Sequence, residues 1–323
     1  MPKVSVIMPA YNAEPFISEA INSVLRQTFT DFEFIIINDC SADRTADIVS
    51  SFQDSRITLL HNDVNSGIAA TMNKGLNHAT GTYIARLDHD DICLPDRLQK
   101  QVAFLDAHPE ICAVGSAIMR FNTQGDLGTT VLPVNPKQAK VNLLANASIA
   151  SPTVMLRGSV IRTHQLWFRS DYDTAEDYDL WRRLIKIADI SNLPDVLLRY
   201  RMHGAQATQV QHTRQEGAAT RIRRQLLDEL VSGVTDETFD LYNQTMLGEK
   251  IADPVAGRKI RQLFREMICQ NRHKRLYDDQ TLRRKLALMH FYLSPDGIQP
   301  WIWPLAGIER IWAAKRTMRR WLK

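Results

Sequence analysis

Three features of the 323-residue chain predict an α/β fold with a mostly parallel sheet flanked by helices. Short apolar, β-branched runs alternate with amphipathic stretches over about the first two hundred residues. The polar residues suited to chemistry cluster just after those runs. Beyond about residue 211 strands vanish, helix formers dominate and basic residues accumulate, which predicts an α-helical C-terminal region over 211–323.

The elements follow in order. Residues 3–8, KVSVIM, predict a buried strand that stops at Pro9. EPFISEAINSVLRQ has helical spacing, with Phe16, Ile17, Ala20, Ile21, Val24 and Leu25 on one stripe. FEFIIIND is a second buried strand, SADRTADIVSSF a helix, ITLLHND a third strand and GIAATMNKGLNHA a third helix. TYIARLDHDD reads as a fourth strand. Such alternation implies parallel strands joined by crossover helices. PDRLQKQVAFLDAHP is an amphipathic helix, with Pro95 near its first turn and Pro109 beyond its end. ICAVGSAIMRF is a strand, residues 122–150 read as loops and a short helix, and SPTVMLR is a strand. DYDTAEDYDLWRRLIKIA is a strong helix, and ISNLPDVLLRYRMH a last strand with a polar tip.

Composition narrows the class. Hydrophobic residues make up 44% and charged residues 24%, an ordinary globular balance. A net charge of +4 gives no argument for nucleic acid, and the basic tail carries no base-reading motif. The cysteines, at 40, 93, 112 and 269, lack C-x-x-C spacing and predict neither a disulfide framework nor a zinc site. A reducing, cytoplasmic compartment is expected. The N-terminal MPKVSVIMPAYN reads as a strand rather than as a signal peptide. No stretch reaches the roughly 18 apolar residues of a spanning helix, so a soluble or peripheral protein is expected. Residues 300–323, from PWIWP to IERIWAAKRTMRRWLK, combine tryptophans with basic side chains. They fit either an interfacial segment on an anionic membrane or a helix packed on the main domain.

The sharpest motif is RLDHDD, with Asp88, Asp90 and Asp91 crowded after an apolar run. Like charges this close disfavour one another's ionisation, and a hard divalent cation would relieve them. A solvated turn with Asp91 or Asp96 as helix cap fits the same residues. Asp39, after IIIN, suits a ribose or a base N–H, or a cap or turn. At about 100° per residue, Asp177 falls at the centre of the apolar arc of its helix with Leu180, Trp181 and Leu184. Glu176 lies nearer the polar arc of Asp179, Arg182, Arg183 and Lys186. Thr174-x-x-Asp177 also resembles a capping box. A carboxylate held inward there suits a general base. Burial would raise its pKa and the helix dipole would lower it, and the sequence leaves the sign open. His203, after Arg201, suits a phosphate, a metal or a surface turn. Neither G-x-G-x-x-G nor G-x-x-x-x-G-K-[ST] occurs, so any phosphates would be neutralised by a metal.

VSVIMPAYNAEPFISEAINSVLRQTFTDFEFIIINDCSAD, NSGIAATMNKGLNHATGTYIARLDHDD, LPDRLQKQ and AEDYDLWRRL, in this order, resemble family 2 of the glycosyltransferases, bacterial polysaccharide or lipopolysaccharide type, over about residues 1–210. The resemblance implies a Rossmann-like GT-A fold, with a nucleotide-sugar part over about 1–100 and an acceptor part over about 101–210. It implies an inverting enzyme with a nucleotide-sugar donor, usually a UDP-sugar, a glycan or lipid-linked acceptor, and Mn2+ or Mg2+. By position it implies that Pro9, Tyr11 and Asn12 border the nucleoside, that Asp39 meets the base, and that Asn73, the usual asparagine of the third helix, belongs to the nucleotide-sugar site. Asp88 would lie near the ribose and diphosphate, Asp90 would ligate the metal with Asp88 or Asp91 beside it, Asp177 would be the base, and His203 would lie near the diphosphate. Two positions depart from the family: Cys40 stands where glycine is common and Met72 where arginine is common. A nucleotidyltransferase and a non-catalytic nucleotide-binding protein are the competing readings.

Overall fold

A computed structural model describes residues 1–172, 174–204 and 211–293. The tryptophan-rich basic stretch at 300–323 lies outside the described residues. Among the described residues one sheet has the order β3-β2-β1-β4-β8-β6-β9-β5, with β7 off this path and paired to the later part of β6. Its strands are β1 (Val4–Ala10), β2 (Phe32–Asn38), β3 (Ile57–His61), β4 (Tyr83–Arg86), β5 (Ile92–Cys93), β6 (Ile111–Asn122), β7 (Gly125–Thr130), β8 (Met155–Arg157) and β9 (Asp189–Arg201).

β3, β2, β1 and β4 pair in parallel, joined through α1 (Ile17–Leu25), α2 (Thr45–Ser50) and α3 (Gly67–His78). Every residue of β1 and β4 is buried, as expected of strands covered by helices on both faces. Beyond β4 the sheet is mixed: β8 runs antiparallel to both β4 and β6, β6 and β9 are parallel, and β5 runs antiparallel to β9. Uninterrupted parallel order thus belongs to the half of the sheet built from the first four strands, and in the other half only β6 and β9 run parallel.

Three boundaries differ from expectation. β1 runs through Pro9 to Ala10. The Pro9 carbonyl faces the β4 side, where it accepts from His89 Nδ1. A strand residue's N–H and C=O point the same way, so the missing N–H falls beyond the last β4 pair, Ile7 with Arg86, and no ladder bond is lost. The fourth strand stops at Arg86, which leaves Asp88 to Asp91 in a turn at its carboxyl end. Within 122–150 the chain forms the edge strand β7 as well as α5 (Pro136–Asn142). GDLGTT has too little apolar alternation to signal a strand.

The β6–β9 register shifts after Leu193, which sits opposite Ser116, to Val196 opposite Ala117. Pro194 and Asp195 fall in the gap. Proline cannot donate to a ladder, so the strand bulges there and bends. Past the bulge β9 pairs with β5, directly after the acidic turn. That pairing delivers Arg201 and His203 to the turn.

The remaining helices are α4 (Arg97–Ala107), α6 (Gly158–Thr163), α7 (Glu176–Leu184), α8 (His212–Leu230), α9 (Asp236–Met246), α10 (Pro254–Lys274) and α11 (Asp279–Leu293). The chain divides into two compact units, Met1–Ala139 with Ala147–Ala219, and Lys140–Asn146 with the chain from Thr220 onward. The second is helical. Its core holds Leu226, Leu230, Phe264, Met267 and Leu286. Arg223, 1% exposed, donates to Asn243 Oδ1 and to the Ala145 carbonyl, and Tyr242 Oη donates to the Leu144 carbonyl. These bonds explain why 140–146 belongs with helices far along the sequence. Asp253 caps α10 by accepting from the N–H groups of Val255 and Ala256. No described helix is long and apolar enough to cross a membrane.

Candidate active site at the carboxyl ends of the parallel strands

The acidic turn resolves its crowding by giving each residue a different partner. Asp88 Oδ1 accepts from Arg86 Nε at 2.8 Å. His89 Nδ1 donates to the Pro9 carbonyl at 3.2 Å, which ties the turn to the end of β1. Asp90 Oδ2 lies 2.9 Å from His203 Nε2. Asp91 Oδ1 accepts the Arg201 N–H at 2.9 Å. Arg201 also donates to the Asp90 carbonyl at 2.8 Å and pairs with Glu19. Its guanidinium lies over Phe16 and Phe121, and the His203 ring packs 4.6 Å from Phe16.

Asp91 therefore departs from the expected ligand set. It is fully buried, and its Oδ2 has no partner among the described residues. Burial first, then Asp90 and Asp88, push its carboxyl well above the usual range. It holds the end of β9 rather than facing the rim. Asp88 and Asp90 keep partly exposed side chains, at 25% and 14%. Among the described residues no three His, Cys, Asp or Glu side chains form a cation cage. Two carboxylates suit magnesium or manganese, which take one or two and complete their shell with water and phosphate oxygens. The donor set fits a cation that arrives with a diphosphate.

On the neighbouring strand ends, Asp39 is 4% exposed. Its Oδ1 accepts from Asn62 Nδ2 at 2.7 Å and Ser66 N at 2.9 Å, and its Oδ2 from Gly67 N at 3.0 Å. It caps the start of α3 from another strand. Of about four lone-pair sites on a carboxylate, one remains for a ligand. Asn12, at φ 47°, accepts the Ala42 N–H and donates its own N–H to Ser41, which joins the loops after β1 and β2. Tyr11 beside it is exposed. Cys40, at φ 58°, occupies the left-handed region that glycine favours, and its thiol donates to the Asp63 carbonyl. That geometry explains why glycine is common at this position. Met72 is buried, so its position does not face the rim.

The Asn73 side chain is engaged by the backbone of a distant segment. Its Nδ2 donates to the Phe168 carbonyl at 2.8 Å, and its Oδ1 accepts the Phe168 N–H at 2.9 Å. The side-chain amide imitates a strand partner and clamps the segment that leads to α7. Arg183 Nη2 holds the same segment through the Trp167 carbonyl. Nothing in the sequence around Asn73 signals a partner 95 residues away.

α7 is buried almost all round, against the expected polar arc. Asp179 is wholly buried between Arg182 and Arg183, at 3.0 Å and 2.8 Å. The capping box is absent too. Ala175 is the N-cap residue, and Thr174, at φ 73°, leaves its hydroxyl buried without a partner among the described residues. A β-branched residue at positive φ is strained by about 1–3 kcal/mol, and such strain clusters at active sites. Asp177 is half-buried, and its Oδ1 accepts the Tyr178 N–H at 2.7 Å. Its other oxygen takes no hydrogen bond among the described residues. Burial outweighs Arg86 and the Tyr178 N–H, and Asp88 adds to it, so the Asp177 carboxyl lies above its ordinary value. The sign left open by the sequence is upward, toward a better base.

Arg86 joins the two halves of the site. It is 6% exposed, donates to Asp88, and donates through Nη1 to Glu176 Oε1 at 3.2 Å. Sequence reasoning placed Glu176 at the edge of a polar face and did not single out Arg86. An arginine inside the apolar run YIA-R-L was the available signal, since a buried cation demands partners.

Residues 5–162 match the family described as Glycosyl transferase family 2. An uncharacterized glycosyltransferase of Haemophilus influenzae is 34% identical over 238 residues, 69% of this chain and 73% of that protein. WfgD of Escherichia coli, a UDP-Glc:alpha-D-GlcNAc-diphosphoundecaprenol beta-1,3-glucosyltransferase, is 35% identical over 62% of this chain and 77% of its own. The mannosyltransferase PcManGT of Pyrobaculum calidifontis, solved with GDP-Man and Mn2+, superposes with a TM-score of 0.58 over 90% of this chain and 85% of its own, at 17% identity. At that identity the likeness is one of fold.

Two outcomes follow from this geometry. Asn73→Ala strips both backbone groups of Phe168 of their partners. It is expected to lower stability by about 1–3 kcal/mol in urea unfolding and to leave nucleotide affinity unchanged. Weaker nucleotide binding at full stability would return Asn73 to the nucleotide site. Glu176 is pushed from an ordinary 4.5 to about 7, first by burial and then by Asp177, with Arg86 opposing. Between those values the folded chain holds a proton that the unfolded chain has lost, so the Glu176 contribution to stability falls as pH rises and is level above about 7. Glu176→Gln should therefore gain stability relative to wild type from pH 4.5 to about 7. Urea midpoints across that range check it, and a constant difference would contradict the assignment.

Proposed function

The chain belongs to glycosyl transferase family 2, and from that premise we propose a metal-dependent, inverting enzyme that moves a sugar from a nucleotide-sugar, a UDP-sugar, to a hydroxyl of a glycan or lipid-linked acceptor in cell-surface polysaccharide synthesis. The observation that carries this reading is Asp177: a half-buried carboxylate with a raised pKa and one oxygen that takes no hydrogen bond among the described residues, close enough to Arg86 and Asp88 to feel their charges. WfgD supports the donor and acceptor classes, since its name specifies UDP-Glc and a diphosphoundecaprenol-linked sugar.

In this reading Asp88 and Asp90 would hold Mn2+ or Mg2+ with the donor diphosphate, and a bound cation would supply Lewis-acid stabilisation of charge on the departing nucleoside diphosphate. His203, beside Asp90, orients that carboxylate and can donate to a phosphate oxygen. Pro9, Tyr11 and Asn12 border the nucleoside, and Asp39 offers its remaining lone pair to the base. Asp177 takes the proton of the acceptor hydroxyl as that oxygen attacks the anomeric carbon. The new C–O bond forms as the bond to the diphosphate breaks, the diphosphate leaves with the electron pair, and configuration inverts.

The domain assignment proposed is a glycosyltransferase domain over 1–210 followed by the helical region. The enzyme is placed in the cytoplasm, peripheral to the inner face of the membrane, through the basic tryptophan-bearing segment 300–323.

Asp177→Asn is expected to fold as wild type and to keep its affinity for UDP with Mn2+, while sugar transfer falls by about 10²–10⁴-fold. Turnover near wild type in that variant ends the assignment. Deletion of residues 300–323 should abolish co-sedimentation with vesicles of anionic phospholipid at low salt. Equal sedimentation of the two chains would refute the membrane role.

A further inference from the structure

Arg86 is the point at which the donor side of the rim meets the helix that carries Asp177. Its backbone is fixed on both counts: the N–H donates to the Val154 carbonyl, and the carbonyl accepts from Arg97 Nη2 at 2.7 Å. Arg97 is itself buried and held by Gln101 and Cys93. The Arg86 guanidinium therefore projects from an anchored strand end. One of its nitrogens meets Asp88, and another meets Glu176, ninety residues along. Glu176 and Asp177 are successive residues in the first turn of α7, and the Tyr178 N–H fixes one oxygen of Asp177. Wherever Glu176 is anchored, the free oxygen of Asp177 follows. Asp88 keeps a second oxygen that makes no hydrogen bond among the described residues.

We propose that Arg86 is the positioning residue of the transfer reaction, a two-armed clamp that sets Asp177 against the donor-side carboxylate Asp88. The proposal rests on Asp177 being the base. A planar guanidinium can satisfy two carboxylates at a fixed angle, whereas a lysine ammonium is a point charge without that fork. Arg86→Lys keeps the positive charge and loses the geometry. Displacement of a reacting group by about 1 Å costs about 10²-fold in rate, so the effect belongs in kcat.

The test is a double-mutant cycle with Arg86→Lys, Glu176→Gln and both together, alongside Asp177→Asn. Turnover is read as release of UDP from UDP-glucose and UDP-N-acetylglucosamine, and of GDP from GDP-mannose. Affinity is read by calorimetry with UDP and Mn2+. Arg86→Lys is expected to lower kcat about 10²-fold with a much smaller change in UDP affinity. The double variant should be no worse than Arg86→Lys, because both substitutions cut the same link. Wild-type kcat in Arg86→Lys, or losses that multiply in the double variant, would overturn the clamp. If Arg86→Lys does not fold, Glu176→Gln decides alone: a loss in kcat of about tenfold or more at unchanged UDP affinity supports the clamp, and wild-type kcat refutes it. Asp177→Asn separates the two ideas. If it is inactive while Arg86→Lys turns over normally, the clamp fails and the base assignment stands. If it turns over normally, both fail, and wild-type release from none of the donors overturns the donor reading together with the clamp.

Discussion

Arg86 carries a full positive charge into the interior at the end of β4, where its side chain is only 6% exposed. Burial alone would disfavour that charge. Asp88, Glu176 and Asp177 reverse the balance and hold the guanidinium protonated. The dependence runs both ways. Glu176 is as buried as Arg86, and a guanidinium left in the interior without carboxylate partners is costly. The first turn of α7 is therefore fastened to the strand that ends in the acidic turn. The turn that holds Asp88 and the first turn of α7, with Glu176 and Asp177, are tied to one side chain without a shared stretch of sequence.

The rest of the acidic turn follows the same logic. Asp90 and Asp91 take their partners from the end of β9, and His89 takes its partner from the end of β1. β9 reaches the turn because Pro194 interrupts its pairing with β6 and lets the strand bend toward β5. Three crowded carboxylates persist because Arg86 at the end of β4 pairs with Asp88, the end of β9 brings His203 to Asp90 and the Arg201 N–H to Asp91, and burial pushes the Asp91 carboxyl toward its neutral form. Two of those carboxylates, Asp88 and Asp90, keep exposed surface.

Helix α7 shows the limit of reading a helix by its wheel. The inward position of Asp177 is predicted by spacing to Leu180, Trp181 and Leu184, and those side chains are buried. The same wheel assigns Asp179 and Arg182 to solvent, yet both are buried and paired. Periodicity tells which face is apolar. It does not tell that the charged face is covered as well, because that depends on segments such as Trp167–Phe168 folding back onto the helix. The contacts of Asn73 escape the sequence for a related reason. Its amide lies at the expected place in α3, but its partners are backbone atoms that no local pattern encodes.

The sequence by itself determined the alternation of buried strands and crossover helices over the first four strands, the strand ends at which Asp39, Asp88 and Asp90 lie, the helix that carries Asp177, and helical character over 212–293. Each of these is written in local periodicity, in turn residues, or in the rule that strand ends in an open sheet share a rim. Only the tertiary structure decided how the charges at that rim are shared. It turned Asp91 inward onto the Arg201 N–H, engaged Asp39 as a cap for α3, and brought Arg86 to Glu176. Burial and partner identity are properties of the packed chain, and they set whether a carboxylate serves as ligand, anchor or base.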